Sequence, residues 1–362
     1  MVMEKQNKKR VLVAMSGGVD SSVAAALLVE QGYQVIGATM QVWDYTQCDI
    51  QEGHGTCCSS MDVDDARSVA DRLDIPFYVI NCEEKFKTEV IDPFLKSYLQ
   101  GQTPLPCVNC NSFLKFDHLI HKMQELDCDY LATGHYAQVM PNAWGEPAIF
   151  TSTDDWKDQT YFLFTLKKEI LSKLIFPIGH LNKPEVRAIA ESKGLCVAKK
   201  KDSTGICFVG DKGYTKFVEE HVPATELRRG LLRRYPGGEI MGEHPGIYQF
   251  TLGQSKGLGM SHHEKLFVIK LEPETQTVWI GDEKYLFHSE LEINNVNWLT
   301  DWSEGENLRV KIRYHHPGSL AKITKTEKGY SLRFDEPQRA ITPGQAAVFY
   351  RDRELVGGGW IL

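Results

Sequence analysis

Three stretches of this chain hold residues whose types and spacing can do chemistry. The first is MSGGVDSS, Met15–Ser22. Two glycines let a backbone approach an anion closely, and serine hydroxyls with the amide groups of a helix start can cradle phosphate. No Lys follows the glycines, so it is not a Walker A loop, and it lacks the dinucleotide G-x-G-x-x-G spacing. An acid at Asp20 inside an anion site suggests a metal–pyrophosphate arrangement, with Mg²⁺ between carboxylate and phosphate. The second stretch is PLPCVNCNSFLKF, Pro104–Phe116, with Cys107 and Cys110 two residues apart. The third is KDSTGICFVG, Lys201–Gly210, with Cys207. A C-x-x-C pair suits zinc, an iron–sulfur cluster, a redox pair or a nucleophile with a helper.

The rest of the chain narrows these options. A closed zinc site needs four ligands, and no second C-x-x-C or H-x₃₋₅-H pair stands at a suitable spacing. His118 and His121 read as one face of a helix after Phe116. A thioredoxin-type pair would open a helix after the first strand of its fold, whereas this pair follows a proline-flanked loop. Nucleophilic sulfur chemistry and an iron–sulfur cluster remain. The nine cysteines (Cys48, Cys57, Cys58, Cys82, Cys107, Cys110, Cys128, Cys196 and Cys207) are odd in number and scattered, unlike a disulfide framework.

The elements that must position these residues follow from periodicity. RVLVAM, Arg10–Met15, reads as a buried strand, and Asp20–Gln31 as a helix stopped by Gly32. Tyr33–Trp43, Pro76–Cys82 and Asp129–Val139 read as further strands. Ser59 and Asp62 have capping-box-like spacing before a helix, and Asn182 caps another that ends near Gly194. Alternation of this kind predicts an α/β fold, a doubly wound parallel sheet with helices on both faces. After about Gly210, short β-rich runs between turns (LFVIKLE, TVWIGD, LRVKIRYH, AAVFY) predict small all-β modules, the last a β-barrel. The expected division is 1–212 as the catalytic domain, 213–283 as a small central β-rich domain and 284–362 as a C-terminal barrel.

The 362 residues are 42% hydrophobic and 25% charged, globular values. No apolar run reaches membrane-spanning length, and MVMEKQNKKR has no apolar segment behind it, so a cytoplasmic protein without a secretory signal is expected. The net charge of −7 is unevenly spread. Met40–Asp92 holds 12 acidic and 4 basic residues, Lys183–Lys201 holds 6 basic and 2 acidic, and Arg309–Lys328 holds 6 basic and 1 acidic. Local basic faces of this sort can bind a phosphate backbone despite a negative total.

The first loop resembles the SGGxDS signature of the PP-loop ATP-pyrophosphatases, the adenine nucleotide hydrolase-like enzymes. Nine pieces in order then make the chain similar to the tRNA-specific 2-thiouridylases over nearly its full length. They are AMSGGVDSSVAA, CCSSMDVDDARSVADRLDIPFYVIN, TPLPCVNCNSFLKF, LATGHYAQV, KDQTYFL, DSTGICFVG, YQFTLGQSKGLG, KIRYH and FDEPQRAITPGQAAVFYRDRELVGGGWI. The resemblance implies ATP-dependent replacement of the C2 oxygen of the wobble uridine by sulfur, with AMP and pyrophosphate released. It implies Cys207 as persulfide carrier and Cys110 as nucleophile and disulfide partner. It assigns ATP contacts to Ala14, Met15, Ser16, Gly17, Gly18, Val19, Asp20, Ser21, Met40 and Gly134, with Mg²⁺ near Asp20. It assigns tRNA or target-base contacts to Leu105, Pro106, Cys107, His135, Lys157, Asp158, Gln159, Arg313, Tyr314 and Gln345. The implied partners are the tRNAs for Lys, Glu and Gln and a sulfur donor such as a cysteine desulfurase or sulfur-relay protein, with no membrane.

Three positions depart from the family pattern. Leu105 stands where an Asn is common, so only backbone or apolar contact is left there. Ser255 stands where Arg is common. Cys107 stands where some members have Asp, and with Cys110 and Cys207 it offers three thiolates to a [4Fe–4S] cluster, the alternative route for the same thiolation. A different PP-loop synthetase is the other alternative. Arg313 and Tyr314 are expected to alternate on a strand.

Phosphate contacts release counterions, so tRNA binding should weaken as salt rises. Neutralising Arg313 or the Lys199–Lys201 run is expected to weaken binding and flatten the plot of log affinity against log salt. Unchanged affinity and slope in a filter-binding titration would contradict those assignments.

Overall fold

A computed structural model describes residues 8–43, 60–202, 205–210, 213–259 and 264–362. Cys48, Cys57, Cys58 and Ser59 lie outside them. The chain divides into two compact units, one of residues 1–89, 107–210 and 353–355, the other of 90–106, 211–352 and 356–362.

The first unit is built on a five-stranded parallel sheet in the order β3-β2-β1-β4-β7. Its strands are β1 (Arg10–Ala14), β2 (Gln34–Gln41), β3 (Phe77–Asn81), β4 (Tyr130–Thr133) and β7 (Leu174–Ile175). β1 is central, and its Val11, Leu12 and Val13 are fully buried. That is why its sequence reads as an unbroken apolar run. Each such side chain contributes about 1.5–3 kcal/mol by leaving water. The strand order reverses between β1 and β4, and in doubly wound sheets ligands bind beyond the carboxyl ends at this switch point.

Helix α1 (Val19–Glu30) follows β1 and is buried on nearly every side, with Val23, Ala24, Ala25, Ala26 and Leu28 in one core with the sheet. The small side chains let it lie close to the strands. Helix α2 (Ser60–Arg72) follows β2 and buries Ala66, Val69 and Ala70 against the same core. The helix Lys183–Ser192 carries the expected cap at Asn182. The Asn182 side chain accepts from the Glu185 amide at 3.0 Å, and the Glu185 carboxylate accepts from the Asn182 amide at 2.7 Å. A reciprocal cap of this kind stabilises a helix start by about 1 kcal/mol.

Two expectations about the first unit need correction. Asp129–Val139 is not one strand. β4 stops at Thr133, and the chain leaves the sheet through Gly134–Tyr136 before forming an antiparallel hairpin of β5 (Ala137–Pro141) and β6 (Pro147–Thr151). The cause is close packing: a Cβ at Gly134 would lie 2.5 Å from the Ser21 nitrogen, so glycine lets the chain turn against the start of α1. Nor does the helix around the cysteines begin after Phe116. Helical backbone runs from Pro106 through three contiguous pieces, Pro106–Asn109, a π-helical Cys110–His118 and Leu119–Glu125. Proline suits the first position of such a run because its missing N–H has no partner there.

The second unit contains only antiparallel and mixed β structure around short helices. A four-stranded sheet has the order β10-β11-β8-β9, from β8 (Gly230–Arg234), β9 (Ile240–His244), β10 (Phe267–Glu272) and β11 (Thr277–Gly281). Six further strands close into a barrel: β12 (Phe287–Trp298), β13 (Asn307–Lys311), β14 (Ser319–Thr326), β15 (Gly329–Arg339), β16 (Ala346–Arg351) and β17 (Glu354–Ile361). Their order is β12-β15-β14-β13-β16-β17, and β17 pairs back onto β12. Alternate residues such as Leu308, Val310, Ile323, Leu332 and Phe349 fill its interior. β13 ends at Lys311, so Arg313 and Tyr314 do not alternate on a strand; they lie in the turn that follows.

Gly17 has φ +70°, and a Cβ there would overlap the Asp62 carbonyl oxygen. Gly17→Ala is therefore expected to cost about 1–3 kcal/mol through backbone strain alone, and Gly134→Ala a similar amount through collision with α1. Gly237, with ordinary φ and nothing within 4 Å of a Cβ, is the control, expected to change stability by less than about 0.5 kcal/mol. Urea unfolding of the three variants checks this; equal midpoints would contradict it.

Candidate active site

The loop between β1 and α1 is held by its own backbone and serines. The Met15 amide donates to Ala38 on β2 at 2.7 Å, which extends the sheet one residue past β1. Gly18 occupies the N-cap with extended backbone and supplies no side-chain cap. The first amides of α1 are thus left for another acceptor, and a helix start with uncapped amides favours an anion. The Ser21 hydroxyl accepts from the Ser16 amide at 3.1 Å and donates to Gly18 O at 3.2 Å, while Ser22 donates to Gly18 O at 2.9 Å. Ala14–Ser21, Met40 at the end of β2 and Gly134 at the end of β4 all stand at the carboxyl ends of adjacent strands.

Asp20, in the first turn of α1, does not face the loop uncompensated. The Lys183 ammonium donates to both its oxygens at 2.8 Å, and the Tyr136 hydroxyl donates to one at 2.9 Å. Burial, and then the neighbouring Asp20 charge, push the Tyr136 phenol far above its ordinary pKa, so it stays a donor. Lys183 is only 11% exposed and also meets Asp202 at 2.8 Å. Asp202 in turn accepts from Lys157 and Arg187, each at 2.7 Å. Burial would raise the Asp202 carboxyl, but its hydrogen bonds from Lys157 and Lys183 outweigh this and hold it below the usual range.

A second link lies beside the first. Lys200 donates to Gly17 O at 3.0 Å and to Asp62 at 2.6 Å, and pairs with Asp65 as well. Burial opposes its charge, yet these two carboxylates raise its pKa. Of the basic run expected to meet tRNA, Lys199 and Lys201 are exposed while Lys200 is committed to this internal pairing. Lys183 and Asp202 were not singled out from sequence; Asp62 was read only as part of a capping pattern, and Lys200 only as part of a basic run facing tRNA. Asp202 stood inside a recognised motif without a role. Lys183 gave no signal, since its partner Asp20 is 163 residues away.

The cysteines differ in setting. Cys107 is exposed, Cys110 and Cys207 are half-buried, and Cys82 and Cys128 are buried. Burial pushes the Cys82 thiol up to about 11 and raises Cys128, which marks both as inert. Cys110 opens the π-helical piece, a local widening found often at functional sites. Its neighbours are anchored: the Asn109 amide group donates to Glu89 O, and that of Asn111 to Phe162 O, each at 3.1 Å. Beside Cys207, buried Phe208 packs edge-on against Phe86, ring centroids 5.6 Å apart. Among the described residues no group of three or more His, Cys, Asp or Glu is placed to hold a metal ion. Cys107, Cys110 and Cys207 are not brought together as such a group among the described residues. Asp20, one carboxylate beside open amides, fits a cation that arrives with a phosphate ligand better than a resident metal.

Several other expected contact residues have internal roles. His135 is buried, with Nδ1 2.6 Å from the Thr133 hydroxyl and its ring packed against Phe116 and Phe176. Burial, aided by Lys115, drives its pKa well below the ordinary value, so the ring is neutral. Asp158 is buried and accepts from the Ser152 amide and the Thr160 hydroxyl. The Gln159 side chain accepts from the Tyr136 amide at 3.0 Å, which fixes the residue that donates to Asp20. In the second unit Leu105 is half-buried, Pro106 buried, Arg313 exposed and Tyr314 half-buried. Arg313 donates to Arg339 O at 3.1 Å, and the Gln345 side chain to Thr103 O at 2.9 Å.

Comparison with known proteins places the chain in a family. Residues 9–211 match a family profile described as the tRNA methyl transferase HUP domain. Residues 215–282 match the corresponding PRC-barrel domain, and 288–361 the aminomethyltransferase beta-barrel domain. A tRNA-specific 2-thiouridylase of Geotalea uraniireducens is 46% identical, covering 99% of this chain and 96% of that protein. The 2-thiouridylases of Geobacter metallireducens and Carboxydothermus hydrogenoformans are each 45% identical over 99% of this chain and 98% and 99% of theirs. Among solved structures, a 4-thiouridine synthetase in complex with RNA and ATP is 15% identical, covering 59% of this chain and 50% of its own, with a TM-score of 0.34. With the family profiles and the 2-thiouridylase relatives spanning the parallel-sheet unit and the β modules alike, the chain belongs to the tRNA-specific 2-thiouridylase family of PP-loop enzymes.

Proposed function

We propose that this protein thiolates the wobble uridine of the tRNAs for Lys, Glu and Gln at C2. The observation that carries the reading is a juxtaposition. The segment leading to Cys207 is tied to the phosphate loop twice, through Lys200 on Gly17 O and through Lys183 between Asp202 and Asp20. A sulfur carrier on a segment anchored to the adenylation loop is what this reaction requires. Urea-type carbonyl carbon is a poor electrophile and its oxygen a poor leaving group. Attack of that oxygen on the α-phosphorus of ATP releases pyrophosphate and turns the oxygen into part of AMP.

The uncapped amides of α1 and the Ser16–Ser21 turn receive the phosphates, as backbone donors already aimed at an anion need no reorganisation. Mg²⁺ entering with the triphosphate would be held by Asp20 and would neutralise charge on the departing pyrophosphate. The terminal sulfur of a Cys207 persulfide then attacks C2 and AMP departs, leaving C2 joined to Cys207 through two sulfurs. The Cys110 thiolate attacks Cys207 Sγ. The Cys110–Cys207 disulfide forms, the sulfur–sulfur bond to the base breaks, and C2 keeps one sulfur as the thiocarbonyl. An external thiol reduces the disulfide, and a cysteine desulfurase or relay protein reloads Cys207.

On this reading residues 1–212 hold the chemistry, and 213–283 with the 284–362 barrel grip the tRNA in the cytoplasm. The base is taken out of the anticodon loop, because its C2 oxygen must reach both ATP and sulfur. Arg313 and the exposed Lys199 and Lys201 supply phosphate contacts.

Thiolation of tRNA by anaerobically prepared enzyme, with iron measured on the same samples, tests the scheme. Cys110→Ser and Cys207→Ser are expected to lose about a thousandfold or more of the activity, as loss of a nucleophile does. Cys107→Ser should stay within about tenfold of wild type, and the active enzyme should be iron-free. Activity that appears only after iron and sulfide reconstitution, or that survives without Cys110, would overturn it.

A further inference from the structure

The loop after β6 is held along most of its length. The Ser152 amide donates to Asp158 Oδ1 at 3.1 Å, and the Ser152 hydroxyl and Thr153 amide donate to Gly179 O, each at 3.0 Å. Asp154 Oδ1 accepts from the Trp156 and Lys157 amides at 3.2 and 3.1 Å. On this fixed backbone Trp156 is 76% exposed. A single exposed indole is ordinary on a protein surface; here its surroundings decide. Asp154 Oδ2 accepts from the Lys183 amide at 3.1 Å, and the Lys183 ammonium holds Asp20 of the phosphate loop at 2.8 Å. Lys157 meets Asp202 at 2.7 Å, which joins the loop to the run holding exposed Lys199 and Lys201. An aromatic face beside a basic run suits single-stranded nucleic acid, with bases on rings and phosphates on ammonium groups. Asp155, exposed at the tip, disfavours a phosphate against the ring itself.

We infer that Trp156 is a base-stacking residue for the anticodon loop, taking a nucleotide that neighbours the target uridine. Drawing the uridine out of the loop costs the stacking of the bases beside it, and the indole face replaces that stacking. A ring on a fixed loop loses little freedom when a base lies on it. Asp158 and Gln159 of the same loop are spent on internal bonds, so the contact passes to the exposed tip. This deepens the function proposed above and rests on the chain binding tRNA.

The test is filter binding of an unmodified transcript of the tRNA for Glu to the full-length protein over a range of salt. Trp156→Ala is expected to weaken binding about tenfold. The slope of log affinity against log salt should stay unchanged, because the indole carries no charge. Trp156→Phe, which keeps an aromatic face, should stay within about threefold of wild type. Lys201→Gln should flatten the slope instead. A transcript made abasic on one side of the target uridine should lose as much with wild type as Trp156→Ala loses, and the two losses should not add. The melting temperature of Trp156→Ala should match wild type, since the ring lies outside the core. Equal affinity of wild type and Trp156→Ala, or losses that add for abasic transcripts on both sides, would overturn the inference. Unchanged tRNA affinity with slower loading of Cys207 by a cysteine desulfurase would assign the ring to a protein partner and overturn it too. Wild type that binds no tRNA would defeat the function proposed above, and the inference with it.

Discussion

The site depends on one ammonium group. An acid in the first turn of α1 is favourable for the helix but repels a phosphate at the same place. Lys183 resolves that conflict at 2.8 Å from both oxygens of Asp20, at a position only 11% exposed. A cation so placed cannot stand alone, and Asp202 completes its surroundings. Asp202 gathers Lys157 and Arg187, Arg187 fixes the backbone before Cys207, and Lys200 in that backbone returns to Gly17 O. The loop after β1 and the segment before Cys207 are joined by this charged lattice rather than by the hydrophobic core. Breaking such a partly buried lattice at one member leaves the others with uncompensated charge, which is why its parts act together.

The glycines serve the same end. Gly17 turns with positive φ under the Asp62 carbonyl, and Gly134 lets the end of β4 press on α1. These close approaches bring the tips of three strands and the start of one helix within reach of a single ligand. Gln159 and Asp158 then hold the Tyr136 and Ser152 amides, so the donor to Asp20 has a fixed address. The neutral, buried His135 braces the same turn through Thr133.

Much of this was legible in sequence because it is periodic or local. The apolar run of β1, the alanine-rich α1 and the Asn182 cap announce themselves within a few residues of each other. The failures came where tertiary contact overrides local pattern. Asp129–Val139 reads like one strand, yet packing at Gly134 breaks it. Pro106 looked like part of a loop but starts a helix that carries both cysteines. KIRYH looked like strand, and the barrel ends β13 at Lys311. Hardest to read were the charge pairs, since Asp20 with Lys183 or Lys200 with Asp62 obey no spacing rule. Only folding reveals that the Asp of the DSTGIC motif shares Lys183 with Asp20 of the first loop.

The central claim is that sulfur passes from Cys207 to the base only after ATP has activated it. A single-turnover experiment measures this directly. Iron-free enzyme is loaded with one labelled persulfide sulfur on Cys207, mixed with unmodified tRNA, and sampled with and without ATP. The label is expected to enter tRNA as 2-thiouridine only with ATP, one Cys110–Cys207 disulfide forming for each sulfur transferred. Label entering tRNA without ATP, or transfer with no such disulfide, would contradict it.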